Sequence, residues 1–557
     1  MYSAINTLWI MFAIVLIFMM QAGFTMLETG FTRSKNAGNI AMKNLIDFVA
    51  GSLAFWVIGF GIMHNTSLGG VIGKLDIFSR GNYADTYPGA AYIVFQMMFC
   101  ATSATIVSGA MAERTKFKSY FIYSVIISAL IYPISGHWIW NEGGFLHQMG
   151  FHDLAGSTAV HLVGGTAALV GAKILGPRTG KYTKDGKSKA IPGQSMSIGV
   201  LGIFLLWIGW YGFNAGSTLS LSTDEVIVTV SNIVLNTTLS AAVACVVALF
   251  VTWKRYGKPD ITMTFNGALA GLVAITAGCD EVSTLGAVCI GAVAGFVVVF
   301  AVEFIDTKLK VDDPVGAISA HGVSGAIGTI LLGVFSTKSG FLYTGRFEFF
   351  GVQILGVFVV FAWVAVTMTI VFTLLKKTIG LRVSEEDEIR GLDDSEHGIK
   401  GGYIAGLPTD YSSLPSPVTL VEQIDLADYD EESMPEKYKK ADGKIRKVVV
   451  VMNQNRLEAL MKALDKIDIT GMTVTNVVGC GIQKGNMEYY RGAELETHLL
   501  PKLKVEIVIS TVPLALLVDT IKKTIYTGRI GDGKIFIYDV SNVIKVRTGS
   551  EGKEALE

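Results

Sequence analysis

The chain has 557 residues, 51% of them hydrophobic and 17% charged, with a formal net charge of -1 and a mean hydropathy of +0.48. That balance excludes an ordinary water-soluble globule of this length, and the near-neutral charge gives no footprint for a nucleic-acid partner. The five cysteines (Cys100, Cys245, Cys279, Cys289 and Cys480) form no C-x-x-C pair, so neither a disulfide framework nor a cysteine metal site is expected.

Crossing a bilayer takes about 20 apolar residues. Segments of that kind fall near residues 5–31, 44–64, 90–112, 119–139, 153–175, 193–214, 225–253, 262–280, 284–305, 314–335 and 347–376, eleven in all. The first lacks a basic leader and a small-residue cleavage site, and reads as a retained span rather than a signal peptide. Basic residues gather in alternate loops: Arg33, Lys35 and Lys43; Arg114, Lys116 and Lys118; Arg178 through Lys189; Lys254, Arg255 and Lys258; Lys308 and Lys310; then Lys376, Lys377 and Arg382. By the positive-inside rule the N-terminus lies outside and everything after the last span is cytoplasmic; the spans make a multi-pass membrane protein, expected in the cell membrane.

The fifth span opens with DLAGSTAVH, Asp153 to His161, and the tenth with DPVGAISAH, Asp313 to His321. In each, a histidine follows an aspartate by eight positions. The two are five steps apart in span order, an odd number, so the matched helices run in opposite directions, as in transporters and channels built from inverted repeats. Eight helical residues cover about 12 Å, enough to carry each ring toward the middle of a core about 30 Å thick. Packed polar side chains and bis-histidine haem ligation are the rival readings. Against haem stand Gly164, Gly165, Gly322 and Gly325 beside the rings, which imply close helix packing rather than a wide slot. Asp313 before Pro314 has the form of an N-cap with proline at the first helical position, and Asp153 is either a cap or a negative field for a cation.

Further polar and aromatic residues cluster in FQMMFCAT (Phe95 to Thr102), HWIWNEGG (His137 to Gly144) and WYGFNAGS (Trp210 to Ser217). Aromatics at span ends are ordinarily belt anchors, but beside small and hydroxyl residues they also suit a cation-π site. These motifs, with AGSTAVHLVGG, AISAHGVSGAIG and LRVSEEDEIRGLDDSEHG after the last span, resemble the Amt/Mep ammonium transporter family over residues 1 to 402. The resemblance implies an external recruitment site at Phe99, Trp140 and Ser217, a stacked phenyl gate at Phe99 and Phe213, twin pore histidines at His161 and His321, and a supporting aspartate at Asp153. Homotrimers with ammonium as substrate are implied too, with no catalytic residue and no permanent cofactor.

From Tyr403 a stretch rich in Pro, Ser and acidic residues reads as a flexible linker to residue 443. Beyond it KVVVVM, TVTNVVGCG, KVEIVIS and KIFIYDV read as strands, and two helical faces carry Leu457, Leu460, Met461, Leu464 and Ile467, then Leu514, Leu517, Val518, Ile521 and Ile525. The order β-α-β-β-α-β fits a ferredoxin-like domain. Gly528 to Lys534 has the spacing G-x-x-x-x-G-K, but Ile535 replaces the P-loop hydroxyl and the loop joins helix to strand, so a Walker nucleotidase is not expected. GCGIQKGNMEYYRGAE, HLLPK, TGRIGDGKIF and VIKVRTG closely resemble PII signal-transduction proteins. That resemblance implies ATP or ADP contacts at Thr473, Gly481, Gly531, Gly533, Lys534, Lys545 and Arg547. It also implies a site for Mg-ATP and 2-oxoglutarate at Gln483 and Lys502, with Gln483 meeting the metal only indirectly, and a T-loop from about Ile482 to Lys502 whose Arg491 plugs the transporter mouth. Leu495 replaces the tyrosine that many relatives modify, and Met452-Asn453-Gln454 replaces the usual Lys-Pro.

The expected fold is therefore a polytopic α-helical membrane protein with eleven spans in an inverted five-helix repeat, plus a soluble α+β ferredoxin-like PII domain. The expected divisions are 1–382 for the membrane domain, 383–402 for a cytoplasmic regulatory segment, 403–443 for the linker and 444–557 for the PII domain. The expected function is ammonium transport gated by the fused domain docking on its own pore, with an ammonium sensor as the alternative and no enzymatic role beyond slow ATP hydrolysis.

Overall fold

The computed structural model describes residues 2–399, 443–469, 471–479, 488–490, 493–495, 500–528 and 531–556. The chain divides into two compact units, residues 1–400 and 401–557. The expected linker, apart from Gly443, lies outside the described residues.

The first unit contains ten helical segments long and apolar enough to cross a membrane and one shorter apolar helix. In chain order they are α1 (Ala4–Phe31), α2 (Ser34–His64), α3 (Gly89–Ala110), α4 (Phe117–Gln148), α5 (Ser157–Leu175), α6 (Met196–Gly216), α7 (Asp224–Tyr256), α8 (Ile261–Ile275, the short one), α9 (Thr284–Thr307), α10 (Ile318–Phe335) and α11 (Glu348–Thr378). A small hairpin, β1 (Ser67–Leu68) with β2 (Ile72–Gly73), follows α2. The eighth expected span ends early because the chain turns at residues 276–281 instead of continuing as helix. Local capping sets several starts: the side chains of Ser3, Ser195, Thr223, Asp260 and Ser283 each accept a backbone N–H of the first turn. Large apolar side chains face outward, among them Leu8 at 69% exposed and Leu285 at 71%, as expected where lipid rather than water is the solvent.

The two halves repeat in detail. Each of α5 and α10 opens with a π-turn, Ser157–Leu162 and Ile318–Val323, and each holds the histidine. Asp153 accepts the N–H groups of Gly156, Ser157, Thr158 and Ala159 at 2.8–3.0 Å, while Asp313 accepts those of Gly316, Ala317 and Ile318 at 2.8–3.1 Å. Both aspartates are thus helix caps. Pro314 is not the first helical residue, because the chain turns through Gly316 at φ +78° before the helix starts; Gly156, at φ +112°, does the same in the other half. Each histidine consequently sits in the opening π-turn, with only about half of the eight residues after its aspartate in helix.

After α11 the chain folds back over the helix ends as α12 (Glu385–Arg390) and α13 (Leu392–His397). Asp393 accepts from the N–H groups of Gly38 and Asn39 at 3.0 and 2.7 Å, Glu396 from that of Phe117 at 3.0 Å, and Glu388 from that of Thr179 at 2.7 Å. This segment is integral to the first unit.

In the second unit β3 (Arg446–Met452), β4 (Thr473–Gly479), β7 (Leu500–Ile509) and β8 (Gly533–Asp539) form one antiparallel sheet in the order β4-β7-β3-β8. Helices α14 (Leu457–Asp465) and α15 (Leu514–Ile525) cover it through Leu457, Leu460, Leu464, Leu517 and Ile521 against Val448, Val450, Val505 and Ile507. Met461 stays 37% exposed at the edge of its helical face. The order is that of a ferredoxin-like domain, and a short hairpin, β5 (Glu488–Tyr490) with β6 (Ala493–Leu495), lies inside the expected T-loop.

Candidate transport path and nucleotide site

A chain of rings runs through the first unit. Trp140 stands edge-on to Phe99 at 5.9 Å between centroids, Phe99 stacks on Phe213 at 4.1 Å, Phe213 lies 5.5 Å from His161, and His161 lies 5.2 Å from His321. Phe24 continues the line 5.9 Å beyond His321. Phe99, Phe213, His161 and His321 are each at most 2% exposed. The two histidines meet through their Nδ1 atoms at 3.2 Å, a contact in which one ring must donate and the other accept. Trp210 stacks on His161 at 5.0 Å and is held by its indole N–H donating to Thr276 at 2.8 Å.

The helices cross closely enough to fix this geometry. A Cβ on Gly165 would stand 2.2 Å from the backbone N of Gly322, and one on Gly325 would stand 2.4 Å from the Ser157 carbonyl oxygen. Glycine is therefore required at Gly165 and Gly325, where α5 meets α10, and the gap is too narrow for a haem macrocycle. Asp153 reaches the path indirectly: its carboxylate caps α5, and its backbone carbonyl accepts the Trp140 indole N–H at 2.7 Å. Ser217 ends α6 with its hydroxyl donating to the Phe213 carbonyl at 2.8 Å, which leaves the oxygen free to accept.

Past His321 the path opens into a small cavity lined by Phe24, Glu28, Ile106, Asn266, Val315 and His321. The motif reading missed Glu28 and Asn266. Glu28 lies in the first apolar span, in MLETG, where a single carboxylate among apolar residues was the available signal. His152, Asp280 and Glu281, the one group among the described residues with metal-ligand proximity, were also missed; Glu281 already pairs with Ser336 and Lys338.

Outside the spans, Arg178 bridges Glu113 at 2.8 Å and both oxygens of Asp312 at 2.8 and 2.9 Å, and Arg33 also pairs with Glu113. Burial alone raises the Glu113 carboxyl, but Arg33 and Arg178 outweigh it and hold it down to about 2.

In the second unit Gly531 lies in the turn before β8, Gly533 and Lys534 open that strand, and Lys502 donates to the Gly531 carbonyl at 2.9 Å. Asn453, one of the residues replacing the usual Lys-Pro, also takes the Lys502 ammonium. Partial burial lowers the pKa of Lys502, with the nearby Asp532 acting in the opposite sense. Asp532 shapes the turn by accepting the Thr527 and Gly528 N–H groups at 2.7 and 3.1 Å. Lys545 and Arg547 lie in a tight loop closed by the Lys545 N–H on Ser550 at 2.9 Å. Thr473, on β4, is at the opposite edge of the sheet from Lys534 on β8, roughly 14 Å away at the usual strand spacing. Gly481, Gln483 and Arg491 lie outside the described residues.

Residues 8–401 match the Ammonium Transporter Family. The chain belongs to the ammonium transporter family. Residues 445–550 match the Nitrogen regulatory protein P-II family, so a PII domain follows the transporter domain in the same chain. Ammonium transporter Amt2 of Archaeoglobus fulgidus is 46% identical over 414 residues, covering 71% of this chain and 87% of that protein. Ammonium transporter Amt1 of Haloferax mediterranei is 39% identical over 414 residues, covering 71% and 79%. Among solved structures, one titled Sensor Amt Protein superposes with a TM-score of 0.67 at 41% identity over 71% of this chain and 98% of its own. Candida albicans Mep2 gives 0.64 at 27% identity over 69% and 88%. The family consists of membrane transporters rather than enzymes, and ammonium is the substrate to which the path must be fitted.

Proposed function

We propose that ammonium crosses the membrane along the ring chain from Trp140 to His321, and that the PII domain of the same chain gates this path in response to ATP, ADP and 2-oxoglutarate. The observation that carries the reading is the pair of buried imidazoles, Nδ1 to Nδ1 at 3.2 Å, at the end of an aromatic run. Ammonium resembles potassium in size, so a pore selecting by radius alone would pass both. An aromatic cage at Trp140, Phe99 and Ser217 holds the cation, and the stacked Phe99 and Phe213 then penalise any ion that cannot lose a proton. Neutral His161 and His321 offer hydrogen bonds to ammonia and a route for the proton.

The protein works as a homotrimer with its N-terminus outside and its PII domain in the cytoplasm. The working divisions are 1–382 for the pore, 383–402 for the regulatory segment, 403–443 for the linker and 444–557 for the sensor. Thr473, Gly481, Gly531, Gly533, Lys534, Lys545 and Arg547 hold nucleotide, and the placement of Thr473 and Lys534 at opposite sheet edges supports a cleft completed by a second PII subunit. Gln483 and Lys502 serve Mg-ATP and 2-oxoglutarate. ADP favours insertion of Arg491 into the pore mouth, and Mg-ATP with 2-oxoglutarate withdraws it, because only a ligand with different affinity for the two loop states shifts their balance.

Likeness to a Sensor Amt Protein favours one second reading, in which pore occupancy is reported by the PII domain with little net transport. Ammonium-evoked current in proteoliposomes separates the two. Transport predicts current that internal ADP suppresses and Mg-ATP with 2-oxoglutarate restores. Equal current in both states removes self-gating, and no current in either state leaves the sensor.

A further inference from the structure

The cavity beyond His321 admits about one water-sized molecule, which is also the size of an ammonium ion. One wall is Glu28, 2% exposed, with no cation at ion-pair distance among the described residues; the buried Lys43 acts on it only from farther away. Both of its hydrogen bonds, from Asn44 at 3.2 Å and Ser108 at 2.8 Å, fall on Oε2, and Oε1 accepts none among the described residues. Asn266, 5% exposed, lines the same cavity, and its Oδ1 is buried without a partner among the described residues. Asn266 is held close to the turn at Gly316, where a Cβ would stand 2.4 Å from its Nδ2.

A carboxylate in a membrane interior is neutral or has a cation. An orphaned carbonyl oxygen beside it is costly unless a donor arrives. A small cation with several N–H donors answers both requirements, and the histidine pair leads directly to this position. We propose that Glu28 and Asn266 form a second ammonium-binding site on the His321 side of the histidine pair, at the opposite end of the ring chain from Trp140. It rests on the reading of that chain as the ammonium path. Ammonium there donates to Glu28 Oε1 and Asn266 Oδ1, with His321 as the third wall. The site holds the cation after the histidines rather than before them, and favours ammonium over potassium because its acceptors are directional and few.

The test uses the full chain in lipid, with infrared difference spectra recorded on exchanging potassium chloride for ammonium chloride. A carboxyl band that responds to ammonium is expected in the wild type. Glu28→Gln, which keeps an acceptor for Asn44 and Ser108, should abolish it. Asn266→Leu, which leaves every Glu28 hydrogen bond in place, should raise the half-saturating ammonium concentration at least tenfold and decides the matter if Glu28→Gln does not fold. Absence of the band, its persistence in Glu28→Gln, or unchanged saturation in Asn266→Leu overturns the site. Wild-type current measured in parallel keeps the two readings apart: current without the band preserves transport and removes the site, whereas the band without current preserves the site in a protein that does not transport.

Discussion

Glu113 is a non-glycine residue at φ +74° in the turn between α3 and α4, a conformation that costs a side-chain-bearing residue roughly 1–2 kcal/mol. Its compensation is electrostatic. Fully buried, it accepts from Arg178 at 2.8 Å and pairs with Arg33, and Arg178 in turn joins the end of α5 to Asp312 just before α10. Replacing Glu113 with Gln leaves two guanidinium groups short of a counter-charge, and loss of one partner from such a buried network costs about 3–5 kcal/mol. The pH dependence has a definite sign. The carboxyl is held at about 2 against an ordinary value of 4.5, so its stabilisation is fully present above about pH 4.5 and is lost as pH falls through about 2. Thermal unfolding in detergent should show the wild type well above Glu113→Gln near neutrality, with the gap narrowing as pH drops toward 2.5. A gap independent of pH would mean that Glu113 acts through shape rather than charge.

Helices α5 and α10 cross where their histidines face each other, and the crossing is asymmetric at atomic scale. An added Cβ on Gly165 would stand 2.2 Å from the Gly322 N, whereas one on Gly322 would approach Gly165 no closer than 3.2 Å. Gly165→Ala should therefore force the helices apart, at a cost of about 1–3 kcal/mol from overpacking, and widen the 3.2 Å histidine contact. Gly322→Ala should be tolerated with small adjustments. Unfolding midpoints and ammonium current measured on both variants check this, and equal effects would contradict the crossing described above. The glycines beside the rings were legible in the sequence as a sign of close packing, as were the paired Asp-to-His spacings and therefore the inverted repeat. The π-turns were not legible: two more, Phe55–Gly59 and Ile127–Ile131, follow right-handed residues inside α2 and α4, so no glycine or apolar pattern marks where one forms. Glu28 and Asn266 were overlooked for a related reason: neither belongs to a repeated motif, and only the fold brings the first span beside the eighth. In the second unit the alternating strands and two helical faces were plain in the sequence, whereas the distance between Thr473 and Lys534 depended on a strand order that periodicity does not supply.

At the scale of the whole molecule, the transporter domain and the PII domain are parts of one chain, and under the proposed mechanism physical attachment changes the arithmetic of gating. A random coil of about 40 residues has an r.m.s. reach of roughly 35 Å, and a module on such a tether meets its target at an effective concentration of about a millimolar. Under the proposed mechanism, ADP inhibition of the intact protein is therefore independent of protein concentration. Cutting the chain at a protease site inserted near residue 420 leaves both units covalently complete but makes docking bimolecular. Cleaved proteoliposomes with the PII side accessible, washed in ADP, should recover the current seen with Mg-ATP and 2-oxoglutarate as the released domain is diluted away. Adding the purified domain back should suppress that current in a concentration-dependent manner, while uncut samples stay suppressed throughout. If washing leaves the cleaved pore closed even after prolonged dilution, the tether contributes nothing to docking and the bound state owes its stability to direct contacts alone. If ADP fails to suppress current before cleavage, the PII domain acts on a partner other than its own pore, and the linker serves to hold a sensor near the membrane.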